Sequence, residues 1–395
     1  MIEYAGSRAA AERARRSGRD EAVSFARRID LLLLAGVAGL VSYGLWVIAG
    51  VTRDDVQGNA DYFLVRQGVF VALGGIGLVG ALLVDPAVYR RFRRPIFVGT
   101  VALMVLVFLA GSVARGSKRW IDVGFFQFQP SEFGKLLFIL FLAGFLADRG
   151  RRVGQWETVL STVGLAAIPM ALVFLQPDFG TALVYGAALA AVLLVAGTRW
   201  LHLAVLGGAA AIGAALILWA LPAVGVEVLK PYQLARLTAF ADPDRDPGGL
   251  TYNANQSILA VGAGGLRGRG VEGATQTNLD YLPEHATDFA FASLAEQRGF
   301  VGASLLLCLY LLVLWRGIRV ISIARDHFSA IVAGGIVFAL LFQISINVGM
   351  TMGIAPITGI PLPFISVGGS SLIANLLAIG VLQAIHARGR LTPRR

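Results

Sequence analysis

The run Tyr281-Leu282-Pro283-Glu284-His285-Ala286-Thr287-Asp288-Phe289 sets carboxylates at the mouth of an apolar stretch. It closes a polar segment, Pro222 to Thr287, which interrupts an otherwise hydrophobic chain. Loops this long within a compact domain are characteristically functional or disordered. This one is too rich in Tyr, Leu, Phe and Gly turns, and too mixed in charge, to read as a tail. Its end puts Asp288 where water, lipid headgroups and a helix N-terminus meet, and Asp288 is the expected reaction centre. A second constellation is Gln129-Pro130-Ser131-Glu132-Phe133-Gly134-Lys135. Pro130 suits the first turn of a helix, and Glu132 and Lys135, three apart, share one face. Charges entering a bilayer core are costly unless paired and are functional candidates by default. The pair reads equally well as a structural lock.

Further polar groups need partners at membrane depth. These are Arg66 and Gln67, and Glu296 with Arg298, of which Glu296 lies about 12 Å deeper than Asp288 along a helix. Glu296 is expected to pack against an interior cation. Lys118-Arg119-Trp120 offers two cations that can meet lipid phosphates, beside a tryptophan that reads as an interfacial anchor. The glycine-rich run Val261 to Gly270 fails the spacing of a dinucleotide fingerprint and lacks its strand–turn–helix setting. It reads as a re-entrant or interfacial segment with Arg267 and Arg269 near headgroups. The uncharged loop Ala355 to Phe364 reads as a stiff hydrophobic cap. Gly74-Gly75, Gly77, Gly80, Gly207-Gly208 and Gly334-Gly335 read as points of close helix packing.

The elements that must position these residues are transmembrane helices. Hydrophobic residues make up 56% of 395 positions and charged residues 15%, which excludes a soluble protein. At about 20 apolar residues per span, the chain is all-α and polytopic, with ten transmembrane helices near 30–50, 62–84, 95–114, 130–147, 157–176, 179–197, 200–221, 287–315, 328–353 and 365–387. Gln176-Pro177-Asp178 makes the fifth and sixth either a tight hairpin or one broken helix. Arginines gather before the first span, at 90–94, 149–152 and 316–325, and after the tenth. That alternation puts both termini in the cytoplasm. Loops on the other side carry Asp54, Asp55, Asp61, Asp122, Asp178, Asp242, Asp244 and Asp246. The expected organisation is a basic cytoplasmic segment (1–29), a transmembrane domain (30–387) with a large extracytoplasmic loop between helices 7 and 8 (222–286), and a cytoplasmic tail (388–395).

The net charge of +10 then belongs to the inner leaflet, facing anionic headgroups, and no nucleic-acid partner is expected. The first apolar run is too long for a signal-peptide core and reads as an uncleaved helix. Cys308 is the sole cysteine, so no intrachain disulfide forms. The four histidines are scattered across the topology, which argues against a His/Cys metal cage.

In order along the chain stand Lys118-Arg119-Trp120-Ile121-Asp122, Gln129-Pro130-Ser131-Glu132 with Lys135, Gln176-Pro177-Asp178-Phe179-Gly180-Thr181, Arg236 with Asp242-Pro243, Gln256-Ser257, Gly264-Gly265-Leu266, Leu282-Pro283-Glu284 with Thr287-Asp288-Phe289, and Asn347 through Gly359-Ile360-Pro361-Leu362-Pro363-Phe364-Ile365-Ser366 to Gly368-Gly369-Ser370-Ser371. These blocks resemble the SEDS (shape, elongation, division and sporulation) family over Arg28 to Gln383. Ala274-Thr275-Gln276 and Asn347-Val348-Gly349-Met350 are more similar to its elongation (RodA) branch than to its division branch. One departure concerns His285, which falls one place early, with Ala286 in the slot where the family carries histidine. Replacing it is therefore expected to be mild.

The resemblance implies a peptidoglycan glycosyltransferase of the bacterial cytoplasmic membrane. It would polymerise lipid II, the undecaprenyl-diphosphate-linked disaccharide peptide, on the outer face during cell elongation. A sugar hydroxyl attacks the anomeric carbon with inversion, which needs a base for the hydroxyl and positive charge for the departing diphosphate. Asp288 is then the base, its ionised form favoured by a helix N-terminus with Thr287 as N-cap. Lys118, Arg119, Lys135 and Arg236 are the cations, Lys135 placed on the diphosphate path. Glu132, Asp280, Ser370 and Ser371 complete the expected substrate site, and a divalent cation, Mg or Mn, would assist. The implied partners are a class B penicillin-binding protein transpeptidase and other elongation-complex membrane proteins. The alternatives are a lipid II flippase, against which stands the lack of half-to-half similarity, a division-type polymerase, and a non-catalytic scaffold.

Overall fold

The computed structural model of the protein describes residues 28–114, 117–124, 126–220, 222 and 250–389. Arg236, the aspartates at 242, 244 and 246, most of the basic N-terminal segment and most of the C-terminal tail lie outside these residues. The helices are α1 (Leu31–Val51), α2 (Tyr62–Leu83), a short α3 (Pro86–Arg91) and α4 (Arg93–Ala110). A small antiparallel sheet follows, with β1 (Ser112–Ala114), β2 (Ser117–Asp122) and β3 (Gln127–Phe128) in that order. Then come α5 (Pro130–Ala147), α6 (Trp156–Leu175), α7 (Phe179–Val195), α8 (Trp200–Ala215), α9 (Leu250–Gly264), α10 (Thr275–Asn278), α11 (Ala290–Ile323), α12 (His327–Thr351) and α13 (Gly369–Gly389).

Each of the ten predicted spans holds a helix. Among the described residues nine are long and apolar enough to cross a bilayer, and α7, with 17 residues, is the shorter tenth. Gln176-Pro177-Asp178 makes a hairpin, because Asp178 starts a new helix by accepting from the Thr181 amide. Helices α5, α12 and α13 are buried over most of their length, and α8 almost nowhere. Helix α13 lies along α2, α12 along α7, and α1 and α9 along α11.

Small residues set some of these approaches. A Cβ on Gly74, Gly77, Gly334 or Gly335 would press on Leu376, Leu377, Val195 or Ile139 respectively. Gly75, Gly80, Gly207 and Gly208 face open space, contrary to expectation. Gly75 and Gly80 lie on the side of α2 away from Leu376 and Leu377, and α8 is peripheral, so glycine there meets no neighbour.

Helix α11 bends at Gly299, whose φ of 66° and ψ of −164° suit no other residue. The glycine-rich run locks onto this bend instead of lying free at an interface. Phe300 and Val301 amides donate to the Gly265 and Leu266 carbonyls, and Arg269 and Gly270 amides to those of Glu296 and Gln297. A Cβ on Gly268 would strike the Gln297 carbonyl. The Arg269 side chain turns to the Ala263 carbonyl and Thr275 hydroxyl, away from the expected headgroup role.

Glu296 also departs from expectation. No cation meets it. Its carboxylate accepts from the Gln276 amide (2.9 Å), the Thr277 amide (3.1 Å) and the Thr277 hydroxyl (2.8 Å). First-turn amides of α10 lack intrahelical acceptors and supply what a cation would. Arg298 stacks on Trp46, 3.8 Å from the ring centre.

At the inner end, Asp30 caps α1 and is gripped by Arg316 of α11 at 2.6 Å. Gln383 of α13 donates to the Asp30 carbonyl and accepts from its amide (2.8 and 2.9 Å), and His386 lies 3.6 Å from the carboxylate. All four side chains are buried.

Candidate active site

The outer ends of these helices surround a cavity of about 690 Å³, within the range of small-molecule sites. Every segment on its wall belongs to the side that the arginine pattern assigns outside. The first outer loop gives Asp55, and α2 gives Phe63, Arg66, Gln67 and Phe70. The β2–β3 region gives Arg119, Trp120, Phe126, Gln127 and Gln129. The turn before α11 gives residues 284–288, and the α12–α13 connection Gly359, Pro361 and Val367 to Ser371. The proline loop is thus also a cavity wall. Aromatic faces and charged heads share the site.

The Asp288 turn is held from three sides. Thr287 and Phe289 amides donate to the Glu284 carbonyl, and the Val367 amide to that of Ala286. Asn347 of α12 donates to the carbonyls of Asp288 and Ile360, both at 2.8 Å. Ser366 donates to the Thr287 carbonyl. Thr287 is not the predicted N-cap. Its hydroxyl binds the Glu284 carboxylate at 2.6 Å, and α11 starts at Ala290 after Phe289, because the tight turn uses residues 284–289. Asp288 remains just ahead of the first turn of α11, half-buried on the cavity wall.

Arg119 reaches the cavity while bound to Asp178 at 3.4 Å and stacked over Trp120 at 4.4 Å. Trp120 therefore faces the cavity instead of anchoring in lipid. Its amphipathic ring fits either site, and the short sheet turns it inward. Asp178 also accepts from Gln129 at 3.0 Å, so one buried carboxylate organises this wall. Lys118 points elsewhere, donating to the Phe108 carbonyl at the end of α4 (2.7 Å). Ser370 accepts from the Gln129 amide (2.9 Å) and donates to the Gln127 carbonyl (3.0 Å), and Ser371 accepts from Asn375 (3.3 Å). Both serines line the cavity.

Glu132 and Lys135 form the expected ion pair at 2.8 Å, buried in α5, and neither lines the cavity. Asp280 is exposed, close enough to His285 for its charge to act there, and is also off the wall. Arg236 lies outside the described residues. The structure thus brings Asp288, Arg119, Ser370 and Ser371 together and leaves Lys118, Glu132, Lys135 and Asp280 apart.

Several wall residues are not among those predicted for the site: Asp55, Arg66, Gln67, Glu284 and His285. His285 is mostly buried, with Nε2 3.1 Å from Asp55 Oδ1. Burial pulls its pKa down. The hydrogen bond and charge of Asp55, the charge of Asp280 and a hydrogen bond with the Leu282 backbone outweigh that, and the net shift is upward. Gln67 donates to the Ser366 carbonyl at 3.2 Å. Its sequence signal was a polar pair, Arg66-Gln67, inside a span.

Residues 28–391 match the family model FtsW/RodA/SpoVE, whose members are cell cycle proteins. The protein belongs to this family. Stage V sporulation protein E of Bacillus subtilis is 37% identical over 91% of this chain and 98% of its own length. The peptidoglycan glycosyltransferase MrdB of Escherichia coli is 34% identical over 92% and 95%. Among solved structures, a chain of a peptidoglycan synthase complex that coordinates polymerization and crosslinking superposes with a TM-score of 0.78 at 30% identity, covering 91% of this chain and 98% of that one. The rod shape determining protein RodA of Thermus thermophilus superposes at 0.66 with 28% identity, covering 92% and 98%. The chain is a multi-pass protein of the bacterial cytoplasmic membrane.

Proposed function

We propose that the protein is a peptidoglycan glycosyltransferase that polymerises lipid II at the outer face of the membrane, with Asp288 as general base. The observation that carries this reading is a carboxylate on the wall of an outward cavity that also holds Arg66 and Arg119. It sits in a chain 34% identical over 92% of its length to a peptidoglycan glycosyltransferase. The acceptor sugar hydroxyl gives its proton to Asp288 as its oxygen bonds to the anomeric carbon. The bond from that carbon to the diphosphate oxygen breaks, and the diphosphate departs with the electron pair. Arg66 and Arg119 offset the developing charge, the Ser371 hydroxyl donates to a sugar oxygen, and Gln129 Oε1 accepts from a sugar hydroxyl.

A general base accounts for about 10²–10⁴-fold in rate, which the Asn variant removes. Among the described residues no group of three or more His, Cys, Asp or Glu is placed to hold a metal. A divalent cation, Mg or Mn, would enter with the substrate diphosphate, and no step is assigned to it. Ala274-Thr275-Gln276 and the Asn347 block favour cell elongation over division as the setting. A class B penicillin-binding protein transpeptidase is the proposed partner within an elongation complex. Purified protein given labelled lipid II tests the reading by glycan length and transbilayer movement together. Movement without glycan would replace the polymerase with a flippase.

A further inference from the structure

We propose that Asp55 and His285 form a charged latch in which His285, as the imidazolium, ties the first outer loop to the Asp288 turn and keeps that turn in its working position. This rests on the reading of Asp288 as the base. Both are positioning residues. Nε2 of His285 lies 3.1 Å from Asp55 Oδ1. An N–H at Nε2 donates to that carboxylate, and the charge of the imidazolium strengthens the bond to about twice that of a neutral pair.

The latch is coupled to the reaction centre through the backbone. The His285 carbonyl accepts from Ser293 Oγ in the first turns of α11 (3.1 Å). Three residues on, Asp288 sits in the turn closed by the Thr287 and Phe289 amides on the Glu284 carbonyl. A shift at position 285 therefore reaches position 288 through a hydrogen-bonded turn with little slack. The charged groups around His285 are Asp55 on the first loop and Asp280, Glu284 and Asp288 on its own segment. Arg66 and Arg119 share the cavity. Glu284 is engaged by Thr287. The charges of Asp55 and Asp280 favour a cationic ring and, with the hydrogen bond to Asp55, outweigh the cost of burial, so its pKa shifts upward. A raised histidine pKa stabilises the latched loop at low pH, and that stability is lost as pH rises through the folded pKa.

Hydrogen exchange on the full chain in lipid nanodiscs, followed over peptides within 282–293 and corrected for intrinsic pH dependence, tests the latch without reference to catalysis. In the wild type, protection of this segment should fall as pH rises through the histidine titration. Asp55→Asn and His285→Gln should each lower protection at acidic pH by roughly tenfold or more, the size of one charge-assisted hydrogen bond, and flatten the pH profile. The double variant should be no worse than either single. In polymerisation assays the singles should lower kcat with KM nearly unchanged. Wild-type exchange and pH profile in Asp55→Asn, or additive effects in the double variant, would overturn the latch. Wild-type protein that makes no glycan yet shows the pH-dependent exchange would keep the latch and sink the polymerase reading instead.

Discussion

The inner end of the bundle gathers Asp30, Arg316, Gln383 and His386 with almost no exposed surface, whereas the outer end arranges Asp288, Arg66 and Arg119 around a cavity of about 690 Å³. Both ends carry charge at membrane depth, but only one presents it to a ligand. At the inner end each charge meets another part of the same chain, and three helices, α1, α11 and α13, are tied at one residue, Asp30, through its carboxylate and its backbone. At the outer end the backbone of the charged turn is satisfied by neighbours, and its side chains line the cavity even where they hold partners, as Glu284 holds Thr287 and His285 holds Asp55. Charge spent on itself reads as structure, and charge held over a cavity reads as chemistry. Separating a buried ion pair in low dielectric is strongly unfavourable, so an inward opening that parted α1 from α11 would be costly.

The largest test of that contrast is Asp288→Asn. Shape and the Asn347 hydrogen bond to the backbone survive, so folding should be unchanged. Polymerisation should drop by about 10²–10⁴-fold, read as glycan formed per minute on purified protein. Near wild-type synthesis would take Asp288 out of the mechanism and leave the outer cavity without its base.

The inner end should respond in the opposite way. Arg316→Met strands Asp30, whose side chain is 1% exposed, and should cost about 3–5 kcal/mol of stability. Adding Asp30→Asn should recover most of that loss, because the buried charge is then gone. Activity per folded molecule should hold in both. Thermal unfolding and polymerisation on the same preparations check this. A stable but inactive Arg316→Met protein would break the comparison by giving the inner cluster a part in the chemistry.

What the sequence made legible follows from how local each signal is. Spans were readable because hydropathy over some twenty residues is a local property, and the fourth span runs from Pro130 to Ala147 as expected. Of the site residues that stand in motifs, Asp288, Arg119, Ser370 and Ser371 reach the cavity, whereas Lys118, Glu132 and Lys135 do not. What failed depended on distant partners. Asp55 and His285 meet across 230 positions, and Asp55 carried no signal beyond its acidic outer loop. Glu296 announced itself as a buried charge, but nothing in its neighbours said that backbone amides would satisfy it. Lys118 and Arg119 are adjacent and alike in type. Strand β2 is too short for alternation to reveal that one turns to Phe108 and the other to the cavity.

The Glu132–Lys135 pair lies between the two extremes, buried as the inner pair is but on the helix whose start borders the cavity. Lys135→Ala leaves a carboxylate alone in low dielectric and should cost about 3–5 kcal/mol. Glu132→Gln with Lys135→Met should be better tolerated than Lys135→Ala alone. Since neither residue lines the cavity, the folded double variant should keep polymerising. A folded double variant without activity would instead place Lys135 on the diphosphate path and move the boundary of the site inward.

The smallest effect expected is at Glu296, which sharpens the comparison because it sits near the outer end yet touches no cavity surface. Its carboxylate holds the first turn of α10 through two amides and one hydroxyl, and Leu282, in the loop that leads to Asp288, donates its amide to the Gln276 carbonyl. Glu296→Gln keeps the length but removes the charge, and its amide group brings donors to a place that offers only donors. One bond of the three should be lost and the others weakened, at about 1–3 kcal/mol. The loss should appear first as local opening. Exchange over residues 275–289 should speed up at temperatures where the bundle is still intact, and kcat should fall less than tenfold, far short of Asp288→Asn. If stability and kcat fell together with no local opening, Glu296 would belong with Asp30 as a lock of the whole fold. If neither moved, the three hydrogen bonds would carry little of the force that holds the turn, and Asn347 and Ser366 would carry it instead.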